Sequence, residues 1–132
     1  MARGRDQHQA RLDAIQKLGR TLSRRCRSLC ELCGTGGVAL HATEVPPLPE
    51  HPNEEAAILV CEACTHQMRS KKPDATTLRF LEQTVWSDIV PVQLAAIHLL
   101  RRLAQQHVSW ATECLDGLWI DDAIQAKLDG VR

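Results

Sequence analysis

At 132 residues the chain suits one domain, or a small module with a helical extension, and its 44% hydrophobic content permits a packed core. The aromatic set is Phe80, Trp86, Trp110 and Trp119, with no tyrosine, which argues against a stacking platform for single-stranded nucleic acid. The net charge of zero hides an uneven division: residues 1–30 hold eight Lys/Arg against two Asp, and residues 31–132 hold eight against fourteen Asp/Glu. A basic front points to a polyanion or an acidic partner, or to a solvated helix face that offsets the rest of the fold.

The first predicted element is a helix over residues 6 to about 27. Leu12, Ile15, Leu18, Leu22, Cys26 and Leu29 recur at helical spacing and form one apolar stripe. Lys17, Arg20, Arg24 and Arg27 fall on the opposite face at about 100° per residue. One side is expected to pack on the protein, and the other to present cations.

Residues 30 to 72 read as a compact metal-stabilised unit. "GTGG" at 34–37 is a turn signal, "VALHATEV" at 38–45 has weak strand character, and "PPLPEHPNEE" is a loop. "AILVC" at 57–61 is the second strand, and "EACTHQMRSKK" is a short helix stopping before Pro73.

Residues 74 to 130 read as helical. Asp74 or Thr76 caps a helix carrying Leu78, Leu81 and Val85, and Pro91 suits the first turn of the next. Ser109 caps a third helix that Gly117 ends, and Asp121 starts a short last one. "VWSDIVPVQ" reads as a packing corner, and Trp110 and Trp119 as core residues. The expected organisation is a basic helix and cysteine module over 1–73, with a helical region over 74–132 packed on it.

No apolar run approaches the ~18 residues needed to span a bilayer, and "MARGRDQHQAR" lacks the apolar stretch of a signal peptide. A reducing cytoplasmic setting is expected, where paired cysteines are metal ligands more often than disulfides. Cys30-x2-Cys33 and Cys61-x2-Cys64 carry the strongest signal in the chain. Zinc favours a tetrahedron of soft ligands, and two such turns close the shell. A redox pair, a disulfide or core cysteines are the competing readings, but no βαβ setting for a redox pair is visible. Four thiolates leave no open position for water, so one structural Zn²⁺ is expected rather than a catalytic one. Cys26 and Cys114 read as small core residues.

A first cysteine pair before a hairpin, with the second opening a helix, resembles a treble clef and the HNH-type nuclease module over about 40 residues. That resemblance implies a histidine pair or Asp-His at the end of the first strand, an asparagine after it and a histidine beyond the second cysteine pair. Thr43 and Glu44 stand at the first place, Asn53 can take the second, and His66 follows Cys64. Glu44 offers a metal ligand but no imidazole base, which such hydrolysis requires. His41 and His51 do not fill the gap, the first misplaced in the strand and the second in a proline-rich loop.

A wider resemblance, to the PhnA-like proteins of proteobacteria in their N-terminal type, rests on four stretches. They are "GRDQHQARLDAIQKLGRTLSRRCRSLCELCG" (4–34), "EVPPLP" (44–49), "ILVCEACTHQM" (58–68) and "VWSDIVPVQLAAIHLLRRLA" (85–104). The family name comes from a phosphonate-utilisation gene neighbourhood and does not establish phosphonate chemistry. The resemblance implies a zinc-ribbon-like or treble-clef protein. The expected fold is mainly α with a small β-hairpin. The expected function is non-catalytic binding of nucleic acid or a regulatory protein partner. The alternatives are a metal-dependent HNH-type nuclease or phosphonate-metabolism enzyme, and a protein-interaction adaptor.

Overall fold

The computed structural model describes residues 2–131, with side chains for 4–131. The single N-terminal helix expected from periodicity is two: α1, Ala2–Lys17, and α2, Gly19–Cys26. The break falls at Leu18, whose N–H bonds the carbonyl of Ile15, three residues back, at 3.0 Å. Gly19 follows, and a glycine inside a helix costs about 1 kcal/mol relative to alanine, so an interruption there forfeits little. Of the apolar stripe only Leu22 is fully buried. Leu18 and Cys26 are half-buried, and Leu12 and Leu29 are exposed at 41% and 44%. What ties α1 down is polar. The Arg11 guanidinium donates to both carboxylate oxygens of Glu44 at 2.7 and 2.8 Å, and to the carbonyls of Pro49 and Glu50.

Beyond α2, Arg27 and Ser28 are both left-handed, with φ of 56° and 61°. They turn the chain sharply toward Cys30. The hairpin that follows pairs β1, Leu40–Glu44, with β2, Ala57–Cys61, antiparallel, from Leu40 opposite Cys61 to Glu44 opposite Ala57. The second strand occupies the expected residues. All five of its residues are buried because both faces are covered. Ile58 and Val60 enter the main core, while Ala57 and Leu59 pack with Leu22 under α2. A strand covered on both sides reads as a continuous apolar run, as this one does. Helix α3, Glu62–Arg69, leaves β2 without a linker.

Asp74 caps not a helix but a run of turns over 75–80, accepting the Thr76 N–H at 3.1 Å and the Thr77 hydroxyl at 2.6 Å. Helix α4 is only Leu81–Thr84. The central element is α5, Val90–Gln105, with Pro91 in its first turn as expected and nine buried side chains. Helix α6 is Ser109–Asp116, and its cap residue is Val108, not Ser109. The closing turn of α5 bonds the Val108 N–H to the Leu103 carbonyl, which leaves Val108 extended at the junction and Ser109 already helical. Gly117 ends α6, and Asp121 caps α7, Asp122–Asp129, by accepting the Ile124 N–H at 2.9 Å.

One core crosses residue 73. Cys30, Leu32, Val60, Cys61 and Cys64 share it with Leu78, Leu81, Leu100, Ile124 and Leu128. The fold is mainly helical with a small two-stranded antiparallel sheet, and its C-terminal helices share one core with the cysteine module. Among the described residues no helix is long and apolar enough to cross a membrane. The tryptophans depart from expectation. Trp86 and Trp119 are 53% and 77% exposed, and only Trp110 packs partly inward, with the Arg79 guanidinium 4.9 Å from its ring centre. Leu118 and Ile120 pack on the core from the link between α6 and α7, while Trp119 between them is exposed.

Candidate metal centre

The first cysteine pair sits on a tight turn. The Cys30 N–H bonds the Thr35 carbonyl and the Gly34 N–H bonds the Cys30 carbonyl, both at 2.9 Å. Gly34 adopts φ of 81°, where a side chain would be strained. The turn aims two backbone donors at one sulfur: the N–H groups of Cys33 and Cys61 each lie 3.4 Å from Cys30 Sγ. The second pair is placed by an element junction. Cys61 ends β2 and precedes the first residue of α3, and Cys64 lies in the first turn of that helix. The positive end of a helix favours a thiolate there.

The four sulfurs of Cys30, Cys33, Cys61 and Cys64 all lie within 4.8 Å of one another. Cys33 Sγ is 3.7 Å from Cys61 Sγ. That is far beyond the ~2.05 Å of a disulfide. It matches the roughly 3.8 Å edge of a tetrahedron with metal–sulfur bonds of about 2.3 Å. Cys30, Cys61 and Cys64 are buried and Cys33 is half-buried. The donor set therefore fits a metal ion, and the cluster can bind one. Its thiols are not alike. The hydrogen bond from Cys64 pulls the Cys30 thiol down to about 4, against burial and with help from backbone N–H groups. That same hydrogen bond, followed by burial, pushes the Cys64 thiol up, and burial raises Cys61. A metal entering the cluster releases protons that the surroundings otherwise hold in place. Cys26 and Cys114 lie outside the cluster, half-buried at the end of α2 and in α6.

Sequence reasoning missed the brace behind the first pair. Glu31, whose side chain is 2% exposed, takes two hydrogen bonds from Arg25 at 2.7 and 2.9 Å, and a third from the Leu59 N–H at 2.9 Å. Its own N–H bonds the Leu59 carbonyl. Arg25 also donates to the carbonyls of Glu54 and Ala57. One ion pair thus joins α2, the cysteine turn and the outer edge of β2. The available signal was an acid inside a Cys-x-x-Cys pair, six residues after an arginine.

Lys17, Arg20, Arg24 and Arg27 are all exposed. Lys17 closes α1 and Arg20 and Arg24 lie on α2, but Arg27 is the left-handed cap beyond that helix rather than a fourth member of a helical face. Among the described residues the ion pairs are Arg11–Glu44, Arg25–Glu31 and Arg79–Glu82, so these four cations have no carboxylate partner there.

The nuclease-like residues are spent separately. Glu44 is held by Arg11, and Asn53 caps the 3-10 turn Glu54–Ala56 through the Glu55 N–H. His66 is an exposed residue of α3. The cleft lined by Thr43 and Glu44 includes neither Asn53 nor His66; the histidine it does contain is His98, on α5. Comparison with protein-family models, with curated proteins and with solved structures returns no match.

Proposed function

We propose that this is a small zinc protein, similar in plan to a treble-clef module and to the PhnA-like group. In this reading its metal is structural, and its basic N-terminal helices bind nucleic acid. The observation that carries the metal half is the sulfur tetrad, all four atoms within 4.8 Å and one of them receiving two backbone N–H groups. Four sulfurs complete a tetrahedral shell, so the ion holds the fold together and offers no water for chemistry. The treble-clef reading is supported by the order of parts: cysteine turn, hairpin, then a helix opening on the second pair. Elemental analysis of protein purified without chelator should find one zinc per chain. Cys64→Ser should lose both zinc and fold, because zinc contributes on the order of 10 kcal/mol to folding in such modules. A folded, metal-free protein with four free thiols refutes this half.

The binding half is supported by Lys17, Arg20, Arg24 and Arg27, which stay exposed and, among the described residues, unpaired, while Arg11 and Arg25 beside them are consumed by carboxylates. Four cations meeting duplex phosphates give a slope of log K against log salt of roughly −3.6. Changing all four to glutamine should abolish both affinity and slope in a salt series on duplex and single-strand probes. Unchanged binding removes this face from consideration. A protein-interaction adaptor is the second reading, and exposed Trp86 and Trp119 favour it, since tryptophan is enriched among the anchors of protein interfaces.

A further inference from the structure

A cleft of about 580 Å³ opens between the end of β1, the last turn of α3 and the middle of α5. Its volume lies in the range of small-ligand sites. Arg69, Arg101 and Arg102 line it, together with His98 and the one carboxylate of Glu44. That carboxylate is already neutralised, with both oxygens bound by Arg11 reaching across from α1. Three arginines therefore line the cleft without a free counter-charge among the residues lining it. Val45, Ala95 and Leu99 give it apolar walls. A cleft of one sign with low-dielectric walls concentrates its field and draws in counter-ions.

The cations have distinct states. Arg102 is anchored, donating to the carbonyls of Met68 and Ser70 at the end of α3. Arg69 and Arg101 are exposed, and neither has an ion pair among the described residues. His98 is tied by Nε2 to the Pro46 carbonyl at 2.9 Å, so Nε2 donates and Nδ1 is left over. Burial lowers the His98 pKa. The Pro46 bond opposes this, and the charges of Arg101 and Arg102 add to it.

We propose that this cleft binds a phosphate-type oxyanion, with Arg69 and Arg101 as its two mobile forks and the anchored Arg102 completing the positive wall. Guanidinium forks match the oxygen spacing of phosphate and bind it through paired, charge-assisted hydrogen bonds. The anion is a free phosphate or small phosphate ester, or the terminal phosphate of a nucleic-acid strand. Neither source draws on the Lys17–Arg27 face.

The test is a titration of the metal-loaded protein with inorganic phosphate at fixed ionic strength, followed through the ring signals of His98. Saturable shifts are expected, with the His98 pKa rising as a bound anion offsets Arg69, Arg101 and Arg102; Glu44, held by Arg11, is the acidic group lining the cleft. Arg69→Gln and Arg101→Gln, both at exposed positions, should each weaken phosphate about tenfold or more while leaving the other signals in place. Glutamine at Lys17, Arg20, Arg24 and Arg27 should leave it unchanged. Competition by a nucleoside monophosphate alone identifies a small ester. Competition by a 5′-phosphorylated oligonucleotide, but not by its dephosphorylated form, identifies a strand end. No saturation below about 20 mM phosphate, an equal response to chloride, or indifference to both arginine changes overturns the proposal.

Discussion

At the scale of single residues the structure turns on how each arginine is used. Arg11 and Arg25 look in sequence like members of the same basic stretch as Arg20 and Arg24. They differ because they lie within reach of buried or half-buried carboxylates. Glu31 is nearly sealed from water, so its charge depends on the Arg25 fork and the Leu59 N–H. Removing one partner of a buried pair leaves the other uncompensated, which typically costs 3–5 kcal/mol. Arg25→Ala should therefore destabilise the metal-loaded protein by about 3 kcal/mol in urea unfolding. Arg25→Lys should recover only part, since an ammonium cannot reach two carboxylate oxygens and two carbonyls in one plane. A charge that sequence presents as surface is here a structural joint, and only the position of a partner far along the chain distinguishes the two. Glu44 shows the same effect: its pairing with Arg11, 33 residues away, is invisible to local pattern.

At the scale of elements, the legible features were those written in neighbouring residues. The strand 57–61, the proline opening α5 and the aspartate capping α7 are local chemistry, and each stands where the pattern put it. The misreadings share a cause. Helical spacing continues across Leu18 without change, so periodicity cannot report that α1 and α2 are separate. Serine at 109 resembles a cap, but the closing geometry of α5 decides where α6 begins. That closure has a weak point. His107 is left-handed at φ of 64° and exposed, with the Val108 N–H bonded back to Leu103. Such a position favours glycine, as the left-handed form costs other residues roughly 1–2 kcal/mol. His107→Gly should stabilise the fold by about 0.5–1 kcal/mol after the greater freedom of the unfolded chain is counted. The midpoint of urea unfolding should rise with an unchanged slope.

At the scale of the whole molecule the cysteine pairs were legible as a candidate metal site, because each spacing sets two sulfurs side by side and the hairpin between the pairs brings the two sets together. That the C-terminal helices share a core with the cysteine pairs, and that a cleft opens between α3 and α5 with His98 in it, is not written in neighbouring residues. They depend on how elements distant in sequence pack. Cys30, Cys61 and Cys64 belong to the same core as α5 and α7, so a metal held by them would be coupled to the whole fold. The outer edge of β2 gives that coupling a further consequence. Leu59 has both its N–H and its carbonyl satisfied by Glu31, so the cysteine turn serves as the cover of an otherwise open strand edge. Unpaired edges recruit other chains, and "AILVC" is apolar, uncharged and free of proline. Stripping the metal should release the cover and expose a template for intermolecular pairing. Apoprotein should then scatter light at a rate that climbs with concentration, and excess zinc added before the onset should suppress it. On the proposed reading the ion would then act on solubility as well: with zinc in the cluster, the strand would have no neighbours to choose from but its own.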